Sequence, residues 1–96
     1  MPTFIMLSTL GPDGAATLRD NPDRIRAVTA EVEAMGVKVV AQYALLGDYD
    51  FLNIIEAPDE KAIARVAMAL GARGTVKTLT LTAIPVDEFI AAVRES

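Results

Sequence analysis

The chain contains neither cysteine nor histidine, and these two absences exclude several kinds of functional site. Without cysteine, the protein forms no disulfide and no thiolate metal site. Without histidine, it has no Ser-His-Asp triad, no ordinary zinc site and no imidazole that titrates near neutral pH. We therefore predict no bound metal, no cofactor and no catalytic residue.

Clustered basic residues and long apolar runs are also missing. The net charge is −4, and the nine lysines and arginines are scattered along the 96 residues. Nucleic-acid binding depends on clustered Lys and Arg, so we expect no nucleic-acid partner. No apolar stretch approaches the ~20 residues that span a bilayer. Residues 1–7 lack the basic segment of a secretory signal, so we expect a cytoplasmic protein with no membrane partner.

The chain has a high apolar content for its length. Hydrophobic residues make up 52% of it and charged residues 23%, which predicts one folded domain over residues 1–96. Small domains have proportionally more surface than large ones, so an excess of apolar residues usually lies in an interface. The composition alone therefore predicts a homodimer or a larger homo-oligomer.

The order of the predicted elements indicates an α+β fold. Strand patterns cover residues 3–10, 37–46, 51–57 and 75–84. Apolar residues at helical spacing follow Asn21-Pro22, with Asn21 as the expected N-cap, and follow Pro58-Asp59, with Asp59 expected near the cap. Residues 11–20 show no period and predict an irregular connection, whereas a short helix is expected from Val86. Right-handed crossovers turn this order into a ferredoxin-like βαββαβ domain, a four-stranded antiparallel sheet with two helices on one face.

The second strand reads as buried on both faces, whereas the last strand alternates clearly. Its two sides carry Thr78, Thr80 and Thr82, and Leu79, Leu81 and Ala83. We expect the apolar set to meet the helices and the threonines to lie on the open face of the sheet. A second copy that covers this open face would give a dimeric α/β-barrel.

A turn rich in glycine and aspartate separates the second strand from the third. Gly47 accepts a positive φ, and Asp48 and Asp50 can bond to the local backbone. Tyr49 is large and amphipathic, and its hydroxyl needs a partner wherever it is buried. These four residues predict a hairpin turn near a subunit contact, with Gly47 and Asp48 as structural residues, and they are weak evidence for catalysis.

The same turn resembles the signature of the GYD-domain family, which consists of small bacterial and archaeal proteins. The signature reads Leu46-Gly47-Asp48-Tyr49-Asp50-Phe51 here, and further similarity lies in residues 7–14, 21–24, 51–59 and 71–74. This resemblance implies a ferredoxin-like fold of the dimeric α/β-barrel type and no common reaction. A similar turn lies near effector sites in feast/famine regulators. This chain lacks their helix-turn-helix segment, so we do not expect it to regulate transcription by itself.

Residues in two places could bind a small molecule in a cavity between two sheets. The turn and the strand after it provide one group, and the threonine stripe provides the other. Lys38 or Arg24 could hold an anion. Lys38 and Gln42 lie on the same face of their strand, but the sequence does not show which face of the sheet this is. Alternatively, the threonines reflect only the propensity of β-branched residues for strands. The candidate ligand-binding residues are Tyr49, Asp50, Asn53, Thr78 and Thr80.

Three functional hypotheses follow. The preferred one is a non-enzymatic homo-oligomer that binds a small molecule between subunits. The second is a small cofactor-free enzyme, similar to an oxygenase or isomerase, that uses the half-barrel cavity. It requires at least two of Tyr49, Asp50, Asn53 and Lys38 in one pocket. The third is a regulatory or assembly subunit of another protein, which requires an apolar patch that self-assembly leaves exposed.

Overall fold

The computed structural model describes residues 1–95, which form a four-stranded sheet and four helices. The elements are β1 (Thr3–Leu10), α1 (Pro12–Asp20), α2 (Arg24–Glu33), β2 (Lys38–Ala44), β3 (Phe51–Glu56), α3 (Glu60–Ala72), β4 (Val76–Ala83) and α4 (Val86–Arg94). The strand order is β2-β3-β1-β4, and all neighbouring strands are antiparallel. This order confirms the predicted ferredoxin-like fold.

The core lies between one face of the sheet and the helices α2 and α3. Phe4 and Met6 on β1 and Ile55 on β3 are each at most 2% exposed. Val32 from α2 and Val66 from α3 belong to the same buried cluster. Burial of a side chain of this size contributes about 1.5–3 kcal/mol, so this cluster fixes both helices on one face. We call it the covered face and the opposite one the open face.

Residues 11–20, predicted to be irregular, contain the helix α1. Pro12 lies in its first turn, where the missing N–H costs nothing, and Asp13 adds an acidic group there. Gly14 is buried, and a Cβ atom at this position would lie 2.4 Å from the Thr75 carbonyl oxygen. The prediction was wrong because Gly14 and Pro12 suggested breaks in the chain. Here they start a helix and allow it to approach β4.

The predicted start of the next helix was also wrong. Asn21 does not cap α2 but follows α1, where its N–H donates to the Thr17 carbonyl at 2.9 Å. The helix α2 begins three residues later, at Arg24. By contrast, the cap predicted near Asp59 is confirmed, because its carboxylate accepts the Ala62 N–H at 2.8 Å.

Strand β2 lies at one edge of the sheet and is not buried on both faces as predicted. Lys38, Gln42 and Tyr43 are exposed, because an edge strand has a neighbour on one side only. The pairing of β2 with β3 shifts by one residue between Val39 and Ala41. This bulge places Val39 and Gln42 on the covered face, and Lys38, Ala41 and Tyr43 on the open face.

The two sides of β4 are reversed relative to the prediction. Thr80 pairs with Met6 and Thr82 with Phe4, so the threonines face the helices. Leu79 and Leu81 lie on the open face and are 44% and 47% exposed. The prediction placed the polar set on the open face, whereas the leucines lie there and form part of an apolar surface. The small threonines instead lie beneath α3, which packs against β4.

Candidate functional site

Two adjacent rows of apolar side chains cross the open face of the sheet. Strand register aligns Tyr43, Leu52, Leu7 and Leu79 in one row and Ala41, Ile54, Ile5 and Leu81 in the next. We call these eight residues the apolar sheet band. Polar and charged side chains flank it, with Lys38, Glu56 and Thr3 at one end and Thr9 and Lys77 at the other.

The apolar sheet band is not covered by any element within residues 1–95. Tyr43 is 58% exposed, and the side chains on the central strands are half-buried. A contiguous apolar face of this kind in a soluble domain marks a contact with another molecule.

A second apolar surface lies on α4, which follows Pro85. None of its residues from Val86 to Arg94 is buried. Its apolar side chains recur at helical spacing and are between 41% and 69% exposed: Val86, Phe89, Ile90 and Val93. We call these four residues the α4 stripe. A nine-residue helix is marginal in water without packing, so this stripe also fits a surface that contacts another molecule.

A cavity of about 640 Å³ lies on the covered side, between the sheet and the helices α1, α2 and the end of α3. Its volume is in the range of small-molecule sites. The walls are mainly apolar and come from seven elements, and include Met6, Leu18, Ile25, Val28, Val39, Phe51, Leu70 and Val76. Unlike the cavity predicted between two sheets, it lies within one chain.

Polar groups of the sheet, and Thr29 on the helix α2, line this cavity. The Gln42 amide Nε2 donates to Asn53 Oδ1 at 2.8 Å, which leaves the Asn53 amide hydrogens available. The Thr29 hydroxyl donates to the Ile25 carbonyl at 2.9 Å. Ser8 is only 8% exposed, and its hydroxyl makes no hydrogen bond to any other residue between 1 and 95. We call Ser8, Gln42 and Asn53 the polar floor of the cavity.

Two arginines are the charged residues that line the cavity within the described chain. Arg24 at the start of α2 and Arg73 after α3 both pair with Glu31, which is not part of the lining. The Arg24 Nη1 lies 3.7 Å from Glu31 Oε1. Their side chains are 42% and 35% exposed, so the arginines lie at the rim, where two positive charges share one carboxylate.

The signature turn connects the β2–β3 hairpin to the end of β1. Gly47 has φ +133°, as predicted for this position. The Asp50 carboxylate accepts the Leu10 N–H at 2.7 Å, and the Asp50 N–H donates to the Ser8 carbonyl at 2.8 Å. These bonds give the signature aspartate a structural role. Tyr49 is half-buried and its hydroxyl makes no hydrogen bond within residues 1–95.

The predicted site residues do not gather in one place. Asn53 lines the cavity, whereas Tyr49 and Asp50 lie outside its lining, and Thr78 and Thr80 face the helices without lining it. Lys38 is on the open face. The enzyme hypothesis required at least two of its four candidate residues in one pocket, and Asn53 alone lines the cavity. The sequence analysis missed Ser8 and Arg73. Ser8 interrupts the buried apolar series of β1, a signal that could have identified it.

No helix within residues 1–95 has the length and apolar character needed to cross a membrane. Over the same residues, no three Asp or Glu side chains are grouped so that they could hold a metal ion.

Comparison with known proteins gives one family, one relative and one similar structure. The family model described as the GYD domain matches residues 4–93. A Thermus thermophilus protein named "glutamine synthetase and cystathionine beta-lyase binding protein" is 57% identical, covering 98% of this chain and all of the relative. The crystal structure of TTHA0845, also from Thermus thermophilus, superposes with a TM-score of 0.58 over 88% of this chain and 95% of that one. At 20% identity, this structure supports the fold alone.

Proposed function

The chain belongs to the GYD-domain family, and from that membership we propose that it is a homodimeric module that binds glutamine synthetase and cystathionine beta-lyase of its own cell. The apolar sheet band carries the proposal, because a face of this composition requires a protein cover. The name of the Thermus relative, which matches along the whole chain, provides the enzyme partners. Binding to such enzymes fits the expected cytoplasmic location.

We assign the apolar sheet band to a second copy of the chain. Its eight side chains include no charge, and interfaces this apolar are typical of permanent homodimers rather than of transient complexes. The band is also continuous across four strands, so two copies can pack face to face with the same surface on both sides. This arrangement is the dimeric α/β-barrel.

We assign the α4 stripe to the enzyme partners. The helix has no buried residue, so its apolar side chains can contact another protein. An amphipathic helix can place its apolar side chains in a groove of another protein, with anchors three and four residues apart. Val86, Phe89, Ile90 and Val93 have this spacing.

Two substitutions separate the two surfaces. Leu81→Glu should convert a dimer of about twice 10.2 kDa into a monomer of 10.2 kDa in light scattering. Phe89→Glu should keep the dimer but abolish binding to the two purified enzymes in surface plasmon resonance. Ala91→Glu is the matched control, because it places the same charge on the opposite side of α4.

The outcomes test the two assignments independently. A wild-type chain that is monomeric at micromolar concentration would contradict the dimer. Failure of the wild type to bind either enzyme would contradict the protein-binding function. Equal loss of enzyme binding in Phe89→Glu and Ala91→Glu would exclude the α4 stripe as the contact.

A further inference from the structure

The cavity on the covered side is separate from both protein-binding surfaces. We propose that it binds an amphipathic organic carboxylate, with the carboxylate at Arg24 and Arg73 and a hydrogen-bonding group of its apolar body at the polar floor. This inference is independent of the dimer and of the enzyme partners, because the cavity is formed by the elements of one chain.

The first argument is the charge of the lining. No acidic residue of the described chain lines the cavity, and its two charged residues are both arginines. They share one carboxylate, that of Glu31, so the rim keeps an excess of positive charge. Guanidinium groups bind carboxylates through paired hydrogen bonds, which favours an anionic ligand at this end.

The second argument is the Ser8 hydroxyl. It is more than nine-tenths buried, lines the cavity and makes no hydrogen bond within residues 1–95. A hydroxyl on the wall of a cavity can donate a hydrogen bond to a polar group of a ligand or accept one from it. The Asn53 amide lies on the same face of the neighbouring strand and keeps its hydrogens available. Together they can bond to one polar group.

The third argument is the apolar wall between these two ends. Aliphatic side chains and Phe51 form most of the lining, and the volume of about 640 Å³ suits a small organic molecule. A free inorganic anion would leave this wall without a partner, and a hydrocarbon would leave the arginines and Ser8 without one. A carboxylate with a hydroxylated or oxidised apolar body satisfies all three regions.

Isothermal titration calorimetry with 10-hydroxydecanoate, below its micelle-forming concentration, tests the proposal. We expect saturable binding of one molecule per chain and binding of decane-1,10-diol that is about tenfold weaker, since the diol lacks the carboxylate. Equal affinity for acid and diol, or no saturable binding of the acid, would overturn the proposal.

Four substitutions locate the carboxylate. Arg73→Met and Arg24→Met should each weaken binding of the acid by about tenfold and leave binding of the diol unchanged. Arg65→Met on α3 and Arg26→Met on α2 remove the same charge from exposed positions outside the cavity lining, so they should change neither affinity. Since the two test residues lie on different elements, misfolding of one variant leaves the other informative. A similar loss in the controls would overturn the assignment.

Ser8→Ala and Leu81→Glu locate the body of the ligand. Ser8→Ala should weaken binding of 10-hydroxydecanoate about fivefold but not that of decanoate, which lacks the second polar group. Leu81→Glu alters the open face and should retain full binding of the acid. Loss of binding in Leu81→Glu would place the ligand on the apolar sheet band and contradict the cavity site.

Discussion

The covered face and the open face of the sheet are built from the same four strands but differ in composition. On the covered face, apolar Phe4 and Met6 alternate across the strands with polar residues such as Asn53 and Thr80. On the open face, two complete rows contain apolar side chains and Tyr43. A sheet that is covered on one side usually has the opposite distribution, with its polar residues towards water.

This difference in composition indicates a different binding partner for each face. The mixed covered face leaves room for a cavity with a polar floor, which suits a ligand within one chain. The open face has its charged groups at the two ends and a broad apolar band between them, which suits a second copy. In the proposed dimer the second copy completes the open side, so the stability of the protein should depend on its concentration.

The largest expected difference in the free energy of unfolding concerns two neighbouring isoleucines on β3. Ile55 is 2% exposed on the covered face, so Ile55→Ala should lower the free energy of unfolding by about 2–5 kcal/mol at every protein concentration. Ile54 belongs to the apolar sheet band, so the effect of Ile54→Ala should grow as rising protein concentration favours the dimer. Urea unfolding over a wide concentration range measures both. Equal, concentration-independent losses would contradict the comparison.

Substitution of two glycines allows the closely packed covered side to be compared with an open surface. Gly14→Ala should destabilise the protein by about 1–3 kcal/mol, because the new Cβ would overlap the Thr75 carbonyl oxygen. Gly71 in α3 has no atom within 4 Å of the corresponding position, so Gly71→Ala should stabilise by about 0.4–1 kcal/mol. Thermal unfolding gives both values. A neutral Gly14→Ala would mean that α1 can move away from β4.

Substitution of the two aspartates of the signature turn compares the loss of a hydrogen-bonded carboxylate with the loss of a solvent-exposed one. Asp50→Ala should cost about 1–2 kcal/mol, because the Leu10 N–H at the end of β1 would lose its acceptor. Asp48 is exposed, so Asp48→Ala should change stability by less than about 0.5 kcal/mol. Faster hydrogen exchange at Leu10 in Asp50→Ala alone would confirm the cause, and equal exchange in both variants would exclude it.

Local patterns predicted the strands, the hairpin and the Asp59 cap because each depends on residues close together in the sequence, and the handedness of the crossovers then predicted the sheet. The alternation of β4 divided its side chains correctly into two sets, but it did not show which set the helices cover. That choice depends on the pairing of Thr80 with Met6, more than 70 residues earlier in the chain.

The cavity was beyond sequence reasoning for a related reason. Ser8, Asn53 and Arg73 come from separate elements, and a void depends on how closely α1 and α2 approach the sheet. Asn53 was selected for its closeness to the signature turn, a reason unrelated to its place in the cavity. The interruption of β1 by a buried serine was the one local sign of a polar floor.

The smallest predicted effect concerns two threonines on the same strand and the same face. The Thr80 hydroxyl is buried and has no hydrogen-bond partner within the described residues, whereas Thr82 is exposed. Thr80→Val replaces a hydroxyl with a methyl group of similar shape, so it should stabilise the protein by about 1 kcal/mol. Thr82→Val should give no gain, since its hydroxyl meets water. Urea unfolding compares the two. A loss of stability in Thr80→Val would mean that a bound molecule or water satisfies the hydroxyl, and that the covered face is more polar in solution than its own side chains indicate.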